Sequence, residues 1–104
     1  MDTATATPEP LAGAAVLIAG ATGGIGSAVA VELDRRGAAL TLVGRDQARL
    51  DQLTVPGLRL AVDLRTPEGC RQAVAAAKAE HGRLDAVVNA VGVVAFGAVA
   101  DLSI

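Results

Sequence analysis

Short apolar runs alternate with amphipathic segments along most of the chain. One continuous apolar run, at residues 14–19, and three short, mostly apolar segments, at residues 39–43, 58–62 and 84–88, predict strands. Apolar runs of this length, bounded by glycine and polar residues, are typical of strands that are covered on both faces. The longer segments between them carry apolar side chains at helical spacing.

Three helices are predicted between these strands. The first follows the glycine-rich residues 20–26 and ends before Gly37. The second is a short polar helix over residues 46–53. The third begins at Thr66, which can cap it, and ends at Gly82. The positions predicted to face the sheet are Ile25, Val29 and Leu33, then Leu50 and Leu53, then Cys70, Ala73, Val74 and Ala77.

The element order is therefore β-α-β-α-β-α-β. Alternation of this kind predicts parallel strands that are joined by right-handed crossovers, with helices on both faces of the sheet. We predict an α/β fold: a Rossmann-like doubly wound parallel sheet of order 3-2-1-4, truncated after the fourth strand. Residues 1–13, rich in Thr, Ala and Pro, are expected to form a flexible N-terminal tail.

Composition removes several kinds of chemistry from consideration. The sequence has no Tyr, and Cys70, Lys78 and His81 are single copies. One cysteine and one histidine exclude a disulfide framework and a Cys or His metal cluster, so no metal site is predicted. We expect Cys70 and His81 to have structural roles, as a small apolar side chain and at a helix end.

Charge and hydropathy narrow the choice of partners. The net charge is −2 without a basic run, which argues against binding of nucleic acid. The charge-free stretch over residues 86–100 is too short to span a membrane. No cationic residue precedes Arg35, so no targeting leader is predicted, and we expect a cytoplasmic protein.

The glycine-rich residues 20–26 carry the clearest functional signal. Free N–H groups and the positive dipole end make a helix N-terminus a site for a pyrophosphate. Gly20 would permit the turn away from the strand, and Gly23 or Gly24 would leave the backbone bare beneath the phosphates. Gly26 would let the helix pack tightly on the strand. In a strand–loop–helix context, this pattern predicts a dinucleotide-binding loop.

Two motifs resemble the short-chain dehydrogenase/reductase family. The spacing Gly20-x-x-x-Gly24-x-Gly26 is similar to its cofactor loop, and Gly20-x-x-Gly23-x-x-Gly26 equally fits its extended branch. The segment over residues 84–92, Leu-Asp-Ala-Val-Val-Asn-Ala-Val-Gly, resembles the L-D-x-L-V-N-N-A-G segment of the main branch. Ala90 and Val91 depart from that pattern. The resemblance covers residues 14–104 and implies a partial NAD(P)-binding Rossmann domain there.

The resemblance also implies which residues meet the cofactor. It places Asp63 at the adenine amino group, although an Asp that only forms a turn is the alternative there. Arg45 follows the second strand, where an acidic residue would favour NAD; its guanidinium can bind the 2′-phosphate of NADP. We predict NADP, with NAD as the second choice, and Asp46 beside it could instead be a helix cap. The implied cofactor-binding residues are Gly20, Thr22, Gly23, Gly24, Ile25, Gly26, Arg45, Asp63, Leu64, Asn89, Ala90 and Gly92.

Catalysis in this family implies hydride transfer between NADP(H) and a carbonyl or alcohol substrate. That chemistry uses a Tyr, a Lys four residues later, a Ser and an Asn. Tyr is absent here, Lys78 belongs to the third helix, and Asn89 matches a structural position. No catalytic residue is therefore assigned, and the chain is expected to be inactive alone.

Three hypotheses remain open. The chain could be the cofactor half of an NADP-dependent reductase, whose longer reading frame would contain Y-x-x-x-K. It could be a non-catalytic dinucleotide-binding module, or an inactive truncated remnant. In the last case, the exposed edge of the fourth strand and the apolar residues 91–100 would favour self-association. A methyltransferase is a weaker alternative, since Arg45 stands where that class usually has an acidic residue.

Overall fold

A computed structural model describes residues 10–91 of the chain. The predictions for residues 1–9, for the apolar segment beyond Val91 and for Gly92 fall outside the described residues. Residues 10–13 form a turn, in which the Gly13 N–H donates to the Gly37 carbonyl at 2.9 Å. The elements are β1 (Ala15–Ala19), α1 (Gly24–Arg35), β2 (Ala39–Gly44), α2 (Gln47–Asp51), β3 (Leu58–Ala61), α3 (Pro67–His81) and β4 (Ala86–Asn89).

The strands form one parallel sheet in the order β3-β2-β1-β4, which confirms the predicted α/β architecture and strand order. In register, Val16 of β1 lies between Leu40 of β2 and Ala86 of β4. The chain runs outward from β1 to β3 and then returns to the other side of β1. This reversal creates a topological switch point between β1 and β4.

Alternation along β1 divides the core into two layers. Val16 and Ile18 face one side, where they pack with Ala30 of α1 and Leu50 of α2. Leu17 and Ala19 face the other side; they pack with Val43 of β2 and with Ala73 and Ala77 of α3. All five β1 residues are buried, so this strand is covered on both faces, as its continuous apolar run predicts.

Two predicted inward positions were wrong. Ile25 is 74% exposed, and Cys70 is exposed as well. Steps of four residues rotate by about 40° around a helix, so a stripe of such steps drifts away from the sheet. The buried residues of α1 are Gly26 and Ala30, and those of α3 are Gly69, Ala73 and Ala77. Ile25 and Cys70 each lie next to one of these residues but outside the buried face.

Most strand boundaries differ from the predicted ones by one or two residues, and α2 differs at both ends; side chains explain three of these differences. Asp85 precedes β4: its carboxylate Oδ2 accepts from the Ala15 N–H at 2.8 Å, and its own N–H donates to the Ala15 carbonyl. The strand accordingly begins at Ala86 rather than at residue 84. Helix α2 is shorter than predicted at both ends, because Asp46 is its cap and the carbonyls after it bind a guanidinium.

Strand β4 forms one edge of the described sheet. It pairs with β1, and Val87 is 58% exposed, followed by Val91 at 50%. Self-association through this edge stays a prediction. No helix within residues 10–91 is long and apolar enough to cross a membrane.

Candidate functional site

The loop after β1 lies at the switch point, where ligands bind in open parallel sheets. The N–H groups of Gly20 and Ala21 both donate to the Val43 carbonyl of β2 at 3.0 Å. On the other side, the Ala90 N–H donates to the Ala19 carbonyl at 2.8 Å. The loop therefore begins between the carboxyl ends of two neighbouring strands, which hold it in place.

Two loop glycines are required by the fold itself. Gly20 has φ +78°, and a Cβ atom there would lie 2.8 Å from the backbone C and O atoms of Ala90. A Cβ atom on Gly26 would overlap the Gly20 carbonyl oxygen. These close approaches bring the β4 loop and the first turn of α1 against the same stretch of backbone. A side chain at either position would force the backbone apart.

The other two loop glycines have no such requirement. A Cβ atom on Gly24 would meet nothing within 4 Å, and one on Gly23 would make only an ordinary contact with the Gly20 carbonyl. Gly23 has φ −77° and ψ 171°, a conformation that any residue adopts. The loop thus has a bare backbone surface that neither packing nor backbone conformation explains.

The N-terminus of α1 differs from those of the other two described helices. Asp46 caps α2 by accepting from the N–H groups of Ala48 and Arg49, and Thr66 caps α3 by accepting from the Gly69 N–H. Helix α1 has no side-chain cap and no acidic residue in its first turn. Its first N–H groups have no intrahelical acceptor, which leaves the positive end of the dipole available to an anion.

The carboxyl ends of β2 and β3 bring charged groups to the same side of the sheet. Val62 donates to the Gly44 carbonyl at 3.0 Å, so Arg45 and Asp63 leave neighbouring strands one residue later. Arg45 is exposed, and its positive charge contributes to a lowered pKa of Asp63. Asp46 is a helix cap, as one of the two readings of that residue predicts.

Asp63 is held in a turn by Arg65. Its Oδ1 atom accepts from the Arg65 backbone N–H at 2.9 Å and from Arg65 Nε at 3.0 Å, and its Oδ2 atom accepts from Nη2 at 3.1 Å. These bonds, first those of the Arg65 side chain, lower the pKa of Asp63 from 3.8 to about 2. The carboxylate is therefore ionised throughout the neutral range.

The neighbouring backbone of this turn is also largely occupied. The Asp63 carbonyl accepts from the N–H and Oγ1 of Thr66 at 3.3 and 3.0 Å, and the Leu64 carbonyl accepts from Cys70 Sγ at 3.1 Å. The Leu64 N–H, in contrast, has no acceptor among residues 10–91. An acceptor, Asp63, and an unused donor, Leu64, therefore follow one another in the chain.

The remaining predicted site residues lie around the same loop. Asn89 ends β4, and its Oδ1 atom accepts from the Val91 N–H at 3.2 Å, which stabilises the turn after the strand. Ala90 contacts Gly20, as described above. Ile25 is exposed in the first turn of α1, and Thr22 lies against Gly44 at the end of β2.

Sequence reasoning missed one residue that shapes the site, Gly69, and one that holds the connection between α2 and β3, Arg59. A Cβ atom on Gly69 would overlap the Asp63 carbonyl oxygen, so this glycine lets α3 approach the Asp63 turn. The Arg59 side chain holds the connection between α2 and β3 in place. It donates at 2.7–3.1 Å to the carbonyls of Leu50, Leu53, Val55 and Gly57. The sequence contains a signal for Gly69, which is a glycine three residues after the capping Thr66. No local pattern indicates the role of Arg59.

Comparison with known proteins shows to which family this chain belongs. The family model described as short chain dehydrogenase matches residues 14–104. The chain belongs to the short-chain dehydrogenase family. Within this family, it is 40% identical over 109 residues to a candidate ketoacyl reductase of the granaticin polyketide synthase from Streptomyces violaceoruber. That alignment covers 97% of the chain and 40% of the relative.

Another relative is the 1,6-dihydroxycyclohexa-2,4-diene-1-carboxylate dehydrogenase of Acinetobacter baylyi, 40% identical over 83 residues, which cover 74% of the chain and 32% of that protein. Among solved structures, a metagenomic short-chain oxidoreductase in complex with NADP has a TM-score of 0.72 at 31% identity, over 80% of the chain and 41% of its own length. The 3-ketoacyl-(acyl-carrier-protein) reductase of Brucella melitensis, complexed with NADH, has a TM-score of 0.70 at 30% identity, over 74% and 34%. The chain thus spans about two fifths or less of the relatives it matches.

The chain therefore has the oxidoreductase fold of this family, whose solved neighbours bind a nicotinamide dinucleotide. This finding confirms the family predicted from the glycine loop and the fourth-strand segment.

Proposed function

We propose that this chain is the NADP(H)-binding portion of a short-chain reductase, formed by residues 14–104. The observation that carries the proposal is the bare surface at Gly23 and Gly24, above an uncapped helix N-terminus. The fold needs neither glycine, whereas a pyrophosphate that contacts backbone N–H groups needs a position without a side chain, which Gly23 or Gly24 provides. Gly20 and Gly26 would support this surface, and Thr22 and Ile25 would flank it.

The turn at Asp63 would hold the adenine base. The Watson–Crick edge of adenine presents an amino donor beside a ring-nitrogen acceptor. Asp63 offers a carboxylate acceptor, and the next residue offers the Leu64 N–H, which has no acceptor among residues 10–91. This arrangement is complementary to adenine, since the remaining acceptor position of the Asp63 carboxylate and the Leu64 N–H would each gain a partner.

Arg45 would select NADP over NAD. It is exposed beside Asp63, it has no ion pair within residues 10–91, and no carboxylate follows β2 that could instead accept from the ribose, because Asp46 is occupied as a helix cap. A guanidinium forms charge-assisted bonds with a phosphate. The complex of the metagenomic relative with NADP is consistent with this choice, although the Brucella relative binds NADH.

On the β4 side, Asn89, Ala90 and Gly92 would border the cofactor. The bound dinucleotide would supply the hydride for a carbonyl substrate, or accept it from an alcohol. The sequence contains no Tyr, so the proton donor and the substrate site of such a reductase would have to come from outside these 104 residues. We accordingly expect no hydride transfer by this chain alone and assign the catalytic step to a longer protein.

Titration of the 104-residue chain with NADPH and with NADH tests the proposal. Binding of NADPH is expected, and Arg45→Ala should weaken it by about 10- to 100-fold, the equivalent of one charge-assisted bond of about 1.5–3 kcal/mol. Affinity for NADH should stay unchanged. Arg35→Ala is the matched control, because it removes the same charge at the C-terminal end of α1, at the opposite edge of the sheet.

Two results would contradict the proposal. A wild-type chain that is folded but binds neither dinucleotide would exclude cofactor binding by this chain. An Arg45→Ala variant with unchanged NADPH affinity would exclude Arg45 as the phosphate-binding residue and would return the choice to NAD.

A further inference from the structure

The guanidinium of Arg65 grips both oxygens of the Asp63 carboxylate. Nε donates to Oδ1 at 3.0 Å and Nη2 donates to Oδ2 at 3.1 Å, while the Arg65 backbone N–H adds a third bond to Oδ1 at 2.9 Å. Arg65 itself is 72% exposed, so its side chain contributes little to the core. A two-point contact of this kind fixes the plane of a carboxylate as well as its position.

The two oxygens of the Asp63 carboxylate accept different numbers of these three hydrogen bonds. Oδ1 already accepts from two donors, whereas Oδ2 accepts from one. Each carboxylate oxygen can accept about two hydrogen bonds, so the remaining acceptor site belongs to Oδ2. A further donor that approaches this turn is thereby directed to a single atom.

A second cation, Arg45, acts on the same carboxylate from the end of the neighbouring strand. An Asp63 side chain without its Arg65 contacts would be attracted toward Arg45, where the carboxylate would neutralise the charge that a phosphate needs. The three bonds from Arg65 occupy three of about four acceptor positions of the carboxylate and so compete with a contact between Asp63 and Arg45.

We infer that Arg65 is a positioning residue, which fixes Asp63 so that Oδ2 accepts from the amino group of adenine and Arg45 stays available to the 2′-phosphate. The inference rests on the proposed function and deepens it, because it makes recognition of the base depend on a residue that does not touch the base. The ligand class that it selects is a 6-amino purine dinucleotide; a 6-oxo purine presents the opposite donor and acceptor order and is rejected.

The test compares reduced NADP with its deamino analogue, in which hypoxanthine replaces adenine, by equilibrium titration of the full chain. The wild type should prefer the adenine form by about tenfold or more, as expected for one hydrogen bond to a charged group. Arg65→Gln should reduce this preference to about twofold. Arg65→Lys, which keeps the charge but lacks the planar fork, should also lose most of it. Arg71→Gln is the control, since Arg71 is a similarly exposed arginine that pairs with Glu68 on α3.

The outcomes separate this inference from the proposed function. Wild-type binding with an unchanged adenine preference in Arg65→Gln would overturn the role of Arg65 and leave the cofactor site intact. Full preference in Arg65→Lys would assign the effect to charge and would refute positioning by the fork. Absence of all binding by a folded wild-type chain would overturn both. Because Arg65 is exposed, its variants should remain folded, with midpoints close to that of the control Arg71→Gln, which also loses one exposed ion pair. A midpoint well below that of the control, with proportional loss of both ligands, would indicate a structural role instead.

Discussion

Alanine substitutions two positions apart in the glycine loop are expected to act in opposite ways. A Cβ atom at position 26 would overlap the Gly20 carbonyl oxygen, which belongs to backbone held by β2. Overpacking costs about 1–3 kcal/mol, and a rigid backbone obstacle places Gly26→Ala at the upper end. The gain in helix propensity offsets about 1 kcal/mol. The net loss of about 2 kcal/mol corresponds to a midpoint that is lower by roughly 10 °C in a domain of this size.

Gly24→Ala should leave the free energy of unfolding unchanged or raise it by up to about 1 kcal/mol. Its Cβ atom would meet nothing within 4 Å, and the position is the first residue of α1. The added methyl group would occupy the bare surface where we propose that the pyrophosphate lies. Loss of one charge-assisted bond there would weaken NADPH binding by about 10- to 100-fold.

The assay combines thermal unfolding, followed by circular dichroism, with NADPH titration at a temperature where both variants are folded. Stability should fall for Gly26→Ala alone, and affinity should fall for Gly24→Ala without a loss of stability. Wild-type affinity in Gly24→Ala would refute the placement of the phosphates above that residue. An unchanged midpoint in Gly26→Ala would refute the reasoning from close packing.

Two further predictions concern stability. Replacement of Arg59 by Leu should lower the free energy of unfolding by about 2–4 kcal/mol in urea titrations, since it leaves part-buried carbonyls without a donor; Arg59→Lys should recover less than half of this. The pKa values of Asp63, Asp85 and Glu32 lie below their ordinary values, mainly through hydrogen bonds from arginines. Stability from such carboxylates is present above the unfolded-state pKa and is lost as pH falls, so acid titration should show it decreasing from about pH 4 toward pH 2. A flat profile over that interval would contradict it.

The parallel direction of the strands and the place of the glycine loop could be predicted because both follow from local sequence, whereas the strand order followed from the dinucleotide-binding fold that this loop indicates. An apolar run such as that of β1 is typical of a strand that is covered on both faces. The repeated β-α alternation then predicts right-handed crossovers between parallel strands. The glycines at positions 20 and 26 are equally local signals, and the structure gives a steric reason for both.

Side-chain contacts across the fold could not be predicted in the same way. Ile25 satisfies a four-residue repeat, yet its exposure depends on how α1 rotates when Gly26 meets the loop. The carbonyls that bind Arg59 converge only after α2 ends and the chain turns into β3. Arg65 binds the Asp63 carboxylate from two positions further along the chain. The sequence alone does not distinguish this contact from two charges that are separately solvated.

The contact between Gly20 and Ala90 has a consequence for the order of folding. These residues are separated by about seventy positions, and the bond between the Ala15 N–H and Asp85 spans 70 residues. The ribosome synthesises the loop after β1 early. The backbone that lies against this loop on one side belongs to β4 and Ala90, which are synthesised about seventy residues later. Closing so long a loop is slow compared with forming a local helix. A nascent chain that has produced the entire glycine motif therefore still lacks one side of the proposed nucleotide site, which forms when β4 pairs with β1.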